Sequence, residues 1–145
     1  MSDLIHRLRA LHTSLIDARS GYQEGLKDAH GKGLAPLFSQ LIAAHGANAD
    51  AIAEHLQRLG VKVDDAGSLM GTFDRVVMKI SSMLTELDEK ILPSLIDGEE
   101  RVVSHYDAAI DASSPGNAEY PTLIQQRETL RQIITDMKSR QTRPS

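Results

Sequence analysis

The sequence predicts an all-α domain: an antiparallel four-helix bundle with a single long crossover between its second and third helices. Three observations predict it. Apolar residues recur at steps of three and four over long stretches. No stretch alternates apolar with polar residues for long enough to make a sheet. Glycine and proline mark breaks whose spacing is short, long and short, which joins four helices into two hairpins across one long connection.

The first helix is expected from about Asp3 to Ala29. Its apolar positions, Leu4, Leu8, Leu11, Leu15, Ala18, Tyr22, Leu26 and Ala29, form a narrow seam of the kind that packs in a bundle. At ~1.5 Å per residue it spans about 40 Å. His30-Gly31-Lys32-Gly33 ends it, with glycine where left-handed stops prefer it. The second helix is expected from Ala35 or Pro36 to Leu59, because proline suits a first turn and Gly60 makes a stop. Its seam is Leu34, Phe38, Leu41, His45, Asn48, Ile52, His55 or Leu56, and Leu59, so polar residues stand on its core side.

Val61 to Gly67 reads as a linker, and Ser68 as the cap of a shorter crossover helix from Leu69 to about Leu84. Met70, Phe73, Val77, Ile80 and Leu84 are its apolar stripe. A lone amphipathic helix of that length is marginal in water, so it is expected to cover apolar surface on its own bundle or in a homo-oligomer. The alternative is a five-helix array in which this helix joins the main layer. The third helix is expected from near Pro93 to about Ile110, with Leu92, Leu95 or Ile96, Glu99, Val102 or Val103, Tyr106 and Ile110 inward. Ser113-Ser114-Pro115-Gly116-Asn117 is a turn signal. The fourth helix starts near Pro121 and carries Ile124, Arg127, Leu130, Ile134 and Met137 on one face.

A chain of 145 residues fits one domain, here residues 1–140 with 141–145 as a polar tail. It has no cysteine, which removes disulfides, thiolate zinc sites and cysteine nucleophiles together. The stretch MSDLIHRLRALH is charged throughout and lacks the apolar core of a signal peptide. No apolar run approaches the ~20 residues of a membrane span, so no membrane partner is expected and the expected location is the cytoplasm. Sixteen basic against 20 acidic residues leave a net charge of −4, which argues against a nucleic-acid partner. No serine–histidine–acid arrangement, phosphate loop or dinucleotide fingerprint is present, so no catalytic residue is assigned.

Asp17-x-x-x-Gly21-Tyr22, Arg58-Leu59-Gly60, Gly67-Ser68-Leu69 and Gly98-Glu99-Glu100 followed by Tyr106 appear in an order that resembles the ferritin-like superfamily. More closely, the chain looks like small bacterial four-helix-bundle proteins grouped as a domain of unknown function. The resemblance covers nearly the whole chain. It implies a ferritin-like bundle and no particular activity, with stress physiology as the setting in which such proteins often work. Ferritin-like di-iron proteins place one Glu on each of two helices and a Glu-x-x-His pair on each of the other two. Related sequences carry Glu-x6-Tyr in the first and third helices. Here Glu99 precedes Tyr106 at that spacing, but Leu15 stands where a Glu would precede Tyr22. The second-helix pair falls on His45-x-x-Asn48, and the fourth offers only Arg127-x-x-Leu130 or Glu128-x-x-Arg131.

The resemblance therefore implies a degenerate di-iron site. Expected instead is a structural polar core of Glu99, Arg127, His45, Tyr22 and Tyr106, with Arg127 the first partner of Glu99 and His45 the second. Inward polar residues in bundles usually satisfy one another and can fix register. The alternative is a reduced metal site on Glu99, His45 and Asn48, taking iron, manganese or zinc. His6, His12, His55 and His105 read as solvated surface residues. The leading expectation is a non-catalytic structural or interaction module without a cofactor. A protein partner or second copy would meet it through the Met70–Leu84 stripe.

Overall fold

The computed structural model describes residues 2–29, 35–62 and 92–142. Among the described residues there is no strand, and four helices make a bundle: α1 (Ser2–Ala29), α2 (Ala35–Arg58), α3 (Leu92–Ala112) and α4 (Glu119–Thr142). The crossover helix expected at Leu69–Leu84 lies outside the described residues. No helix among the described residues is long and apolar enough to cross a membrane.

Helix α1 packs along both α2 and α3, α3 packs along α4, and α2 meets α4 more lightly. Tyr22, late in α1, sets its ring edge-on to Phe38, early in α2, with centroids 5.3 Å apart. Tyr106 and Asp107 of α3 meet Gln126 and Arg127 of α4. His55, late in α2, reaches Thr122, early in α4, at 3.2 Å.

The seams explain this packing. Leu4, Leu8, Leu11, Leu15, Ala18 and Tyr22 are all buried along α1. Phe38, Leu41, Ile52 and Leu56 answer from α2, and Leu92, Leu95, Val102 and Tyr106 from α3. Each fully buried aliphatic side chain contributes roughly 1.5–3 kcal/mol relative to exposure. On α4 the inward face differs by one residue from the expected one. Leu123, Gln126, Leu130, Ile133, Ile134 and Met137 are buried, while Ile124 and Arg127 lie at the edge. The reason is cost: burying a neutral amide beside a phenol is cheaper than burying a guanidinium.

The helix stops follow local chemistry. Gly60 takes φ +82°, a left-handed conformation that glycine adopts without a Cβ penalty. Its N–H donates to Gln57 O at 2.9 Å, and Val61 N–H donates to Leu56 O at 3.0 Å. This is a Schellman stop, with Val61 also packed on the core. Between α3 and α4, Asn117 N–H closes a turn on Ser114 O at 2.8 Å. Ser113 Oγ donates to the buried Glu119 carboxylate in the first turn of α4. That contact starts α4 two residues before Pro121.

Core truncation tests this register. Leu41→Ala and Leu130→Ala should each cost ~2–5 kcal/mol in urea unfolding, against at most ~0.5 kcal/mol for the exposed Gln132→Ala. Two leucine variants that unfold like the Gln132 control would contradict the packing described here.

Candidate functional site: a buried polar layer

Glu99 follows the buried Gly98 on α3 and is itself fully buried. Its seam position turns a carboxylate into the apolar centre, where an unpaired charge is expensive. Two side chains answer it. Tyr22 Oη, from α1, donates a hydrogen bond to Glu99 Oε2. His45 Nε2, from α2, lies 3.1 Å from Oε2 and 2.9 Å from Oε1. The imidazole thus straddles the carboxylate, aligned on Oε2, and leaves Oε1 without an aligned donor of its own. Among the described residues, the buried His45 Nδ1 has no hydrogen-bond partner. Tyr22 also covers the imidazole face, with ring centroids 6.0 Å apart and planes inclined by 14°.

A second cluster adjoins the first. Tyr106 Oη donates to Gln126 Oε1 at 2.8 Å, which brings in α4. Asn48 of α2 also acts on the Tyr106 hydroxyl, pulling its pKa down against the effect of burial. All four helices therefore contribute to the polar layer: Tyr22, His45 with Asn48, Glu99 with Tyr106, and Gln126. Gln126 was not among the residues singled out from sequence. Its signal is present, since Leu123, Gln126, Leu130 and Ile133 step by three and four as well as the expected face does.

The electrostatics of the layer favour neutral phenols. Burial, then the Glu99 charge and its hydrogen bond, raise the Tyr22 pKa well above the usual tyrosine range. Tyr106 is also raised, by burial first and by the Glu99 charge, against an opposing contribution from Asn48. Outside the layer, partial burial and the nearby Arg7 charge lower the pKa of His105.

Arg127, expected as the first partner of Glu99, stands elsewhere. Its Nη1 donates to Asp107 Oδ1 at 2.8 Å, and Arg131 Nη2 approaches the same carboxylate at 3.7 Å. With Gln126 turned inward, Arg127 sits at the α3–α4 edge, where its head reaches solvent. His12 is a second correction: it is buried and has a partner, rather than solvated. His55 is half-buried against Thr122, His105 is half-buried, and His6 is exposed.

The donor set decides what metal chemistry the layer fits. A di-iron centre needs about four carboxylates and two imidazoles facing one another. Here the expected first-helix position is the buried Leu15, and Asn48 offers a neutral amide in place of a carboxylate or imidazole. Among the described residues, no three His, Asp or Glu side chains converge as a metal site would require. These residues do not fit a di-iron centre.

The raised phenols give a pH prediction with a fixed sign. A tyrosine whose folded pKa lies above its ordinary value near ~10 contributes stability that is complete below that value. The contribution is lost as pH rises toward the folded pKa. Unfolding free energy should therefore fall above about pH 10, and Tyr22→Phe with Tyr106→Phe should flatten that fall. Urea unfolding at a series of alkaline pH values measures it. Equal slopes for parent and double variant would contradict the burial-driven shift.

In comparison with known proteins, no curated protein and no solved structure matches the chain. One family model, described as Domain of unknown function (DUF2383), matches residues 3–112. The match takes in α1, α2 and α3, and with them Tyr22, His45, Asn48, Glu99 and Tyr106. The chain belongs to the DUF2383 family of domains of unknown function.

Proposed function

We propose that the chain is a non-catalytic structural or interaction module. In this reading it is a single-domain, antiparallel, ferritin-like bundle over residues 1–140, with 141–145 as a tail, and its degenerate di-iron position has become a structural polar layer. One observation carries the proposal: the carboxylate at the centre is held by two protein side chains, Tyr22 and His45, from two other helices. A group held in this way fixes helix register and leaves little of itself for chemistry.

The helix-end contacts support the antiparallel arrangement. Late α1 meets early α2, and late α2 meets early α4. His45 and Glu99, each in the first half of its helix, meet across the core, which fits α2 and α3 running the same way. Two parallel helices joined by residues 63–91 make the long crossover of a ferritin-like bundle. The cytoplasm is the proposed location, with a protein or a second copy as partner rather than nucleic acid or membrane. A role in stress physiology rests on the ferritin-like resemblance alone.

A second reading is a metal-binding ferritin-like protein with a reduced site on Glu99 and His45. It is favoured by the two buried atoms without aligned partners, His45 Nδ1 and Glu99 Oε1. A double-mutant cycle separates the readings. His45→Leu alone strands the carboxylate and should cost ~3–5 kcal/mol, while His45→Leu with Glu99→Leu should recover much of that loss. The cycle is run with chelator, and again with iron, manganese or zinc added. A coupling energy near zero together with melting that rises with metal concentration would replace the structural reading with the metal one.

A further inference from the structure

Arg19 leaves α1 on the flank that packs against α2 and lies over Gly46. Its Cδ is 3.5 Å, and its Nη1 3.7 Å, from where a Cβ on Gly46 would stand. The residue is half-buried, and its buried Nε has no hydrogen-bond partner among the described residues. Arg127 also has an unmatched Nε, but Asp107 holds its head. No ion pair among the described residues holds Arg19. A donor withdrawn from water calls for an acceptor. One turn along α2 from Gly46 stands Asp50, and one turn further Glu54. Both are exposed, and neither joins an ion pair among the described residues.

We propose that this α1–α2 face is a docking surface for a second copy of the chain, in which Arg19 of each copy holds the Asp50 carboxylate of the other. The inference rests on the reading of the chain as an interaction module and names its partner. Symmetry and charge commit the occupant. A two-fold axis lays a patch onto itself, so the patch must carry both members of every contact. Here an unpaired cation stands over Gly46, and unpaired carboxylates follow one and two turns beyond it on the same helix.

An axis crossing α2 midway between Gly46 and Asp50 sets the two α2 helices antiparallel. It brings Arg19 opposite the second copy's Asp50, and the same contact recurs on the other side of the axis. The surface is suited to close approach there. Ala43 and Ala47 are exposed and Gly46 is half-buried, so short side chains let two helix axes reach about 8–10 Å. The planar guanidinium fork can hold a carboxylate with two parallel bonds, and such a pair is strongest where an interface excludes water. The size also fits. Helix α2 is 24 residues long, about 36 Å at ~1.5 Å per residue. With α1 beside it at ~10 Å per helix, the face measures roughly 700 Å². A standard interface buries about 800 Å² on each partner.

Charge reversal tests the contact. Sedimentation equilibrium over a range of protein concentrations, with chelator present, should show a dimer that weakens as salt is added. Arg19→Glu and Asp50→Arg each set like charges against one another, and each should weaken dimerisation by about a hundredfold or more. The two changes in one chain restore opposite charges and should recover most of that loss. Arg101→Glu makes the same change in net charge at an exposed position on α3 and should leave the dimer as it is. Circular dichroism follows folding throughout. If Arg19→Glu does not fold, Asp50→Arg, at an exposed position, and the milder Arg19→Gln decide, and both should weaken the dimer. A parent that is monomeric at every concentration, a dimer indifferent to these changes, or a folded double variant without recovery would overturn the proposal. So would a monomeric parent whose melting rises with inorganic phosphate only while Arg19 is present, since the guanidinium would then serve a small anion. Metal-dependent melting would remove the module reading instead, whereas a monomer without it removes only the dimer.

Discussion

Everything at the centre of this bundle answers to one buried carboxylate. Glu99 has no access to water, so its oxygens must find donors within the protein. The two that reach it, Tyr22 and His45, belong to α1 and α2, while Glu99 belongs to α3. Sliding any of these helices by one turn, about 5.4 Å, would separate the donors from the acceptor. An apolar seam tolerates such a slip better, because one leucine layer resembles the next. The polar layer therefore supplies the register that a repeating aliphatic seam specifies weakly.

The aliphatic seams supply the stability within which that layer is tolerable. Leucine at steps of three and four along α1, with Leu95 before Glu99 and Val102 after it on α3, makes a dry wall around the carboxylate. Inside it, hydrogen bonds are electrostatically stronger and an unmet partner is more costly. The same surroundings keep the phenols protonated, and a protonated phenol is what a carboxylate acceptor needs. Burial and donor function thus reinforce each other at Tyr22: the environment that raises its pKa also preserves the proton it donates.

Much of this was legible in the sequence, and the exceptions have physical causes. The seam of α1 and the Gly60 stop were readable because leucine spacing and glycine at a left-handed position have few competing explanations. The inward turn of His45 and Glu99 could be placed because each stands between apolar residues at helical spacing. The inward face of α4 was ambiguous. Its apolar residues fit two faces one residue apart, and choosing between Gln126 and Arg127 needs the neighbour that decides it, the Tyr106 hydroxyl. His12 was misplaced for a related reason. A histidine off the leucine seam reads as surface until the partner that makes its burial tolerable is known.

The geometry also explains how the buried carboxylate is compensated by protein groups alone. A carboxylate at a bundle centre can be compensated by a cation or by donors, and the two solutions place different demands on neighbouring positions. A cation needs several anionic or imidazole groups converging on one point, each repelling the others when the ion is absent. Donors need only a phenol and one imidazole N–H, with no mutual repulsion between them. Neighbouring positions such as the buried Leu15 can then be apolar. His45 places its Nε2 on Glu99, while among the described residues its buried Nδ1 has no hydrogen-bond partner. That nitrogen and Glu99 Oε1 are the polar cost that remains within the layer, and both belong to the pair that fixes the register.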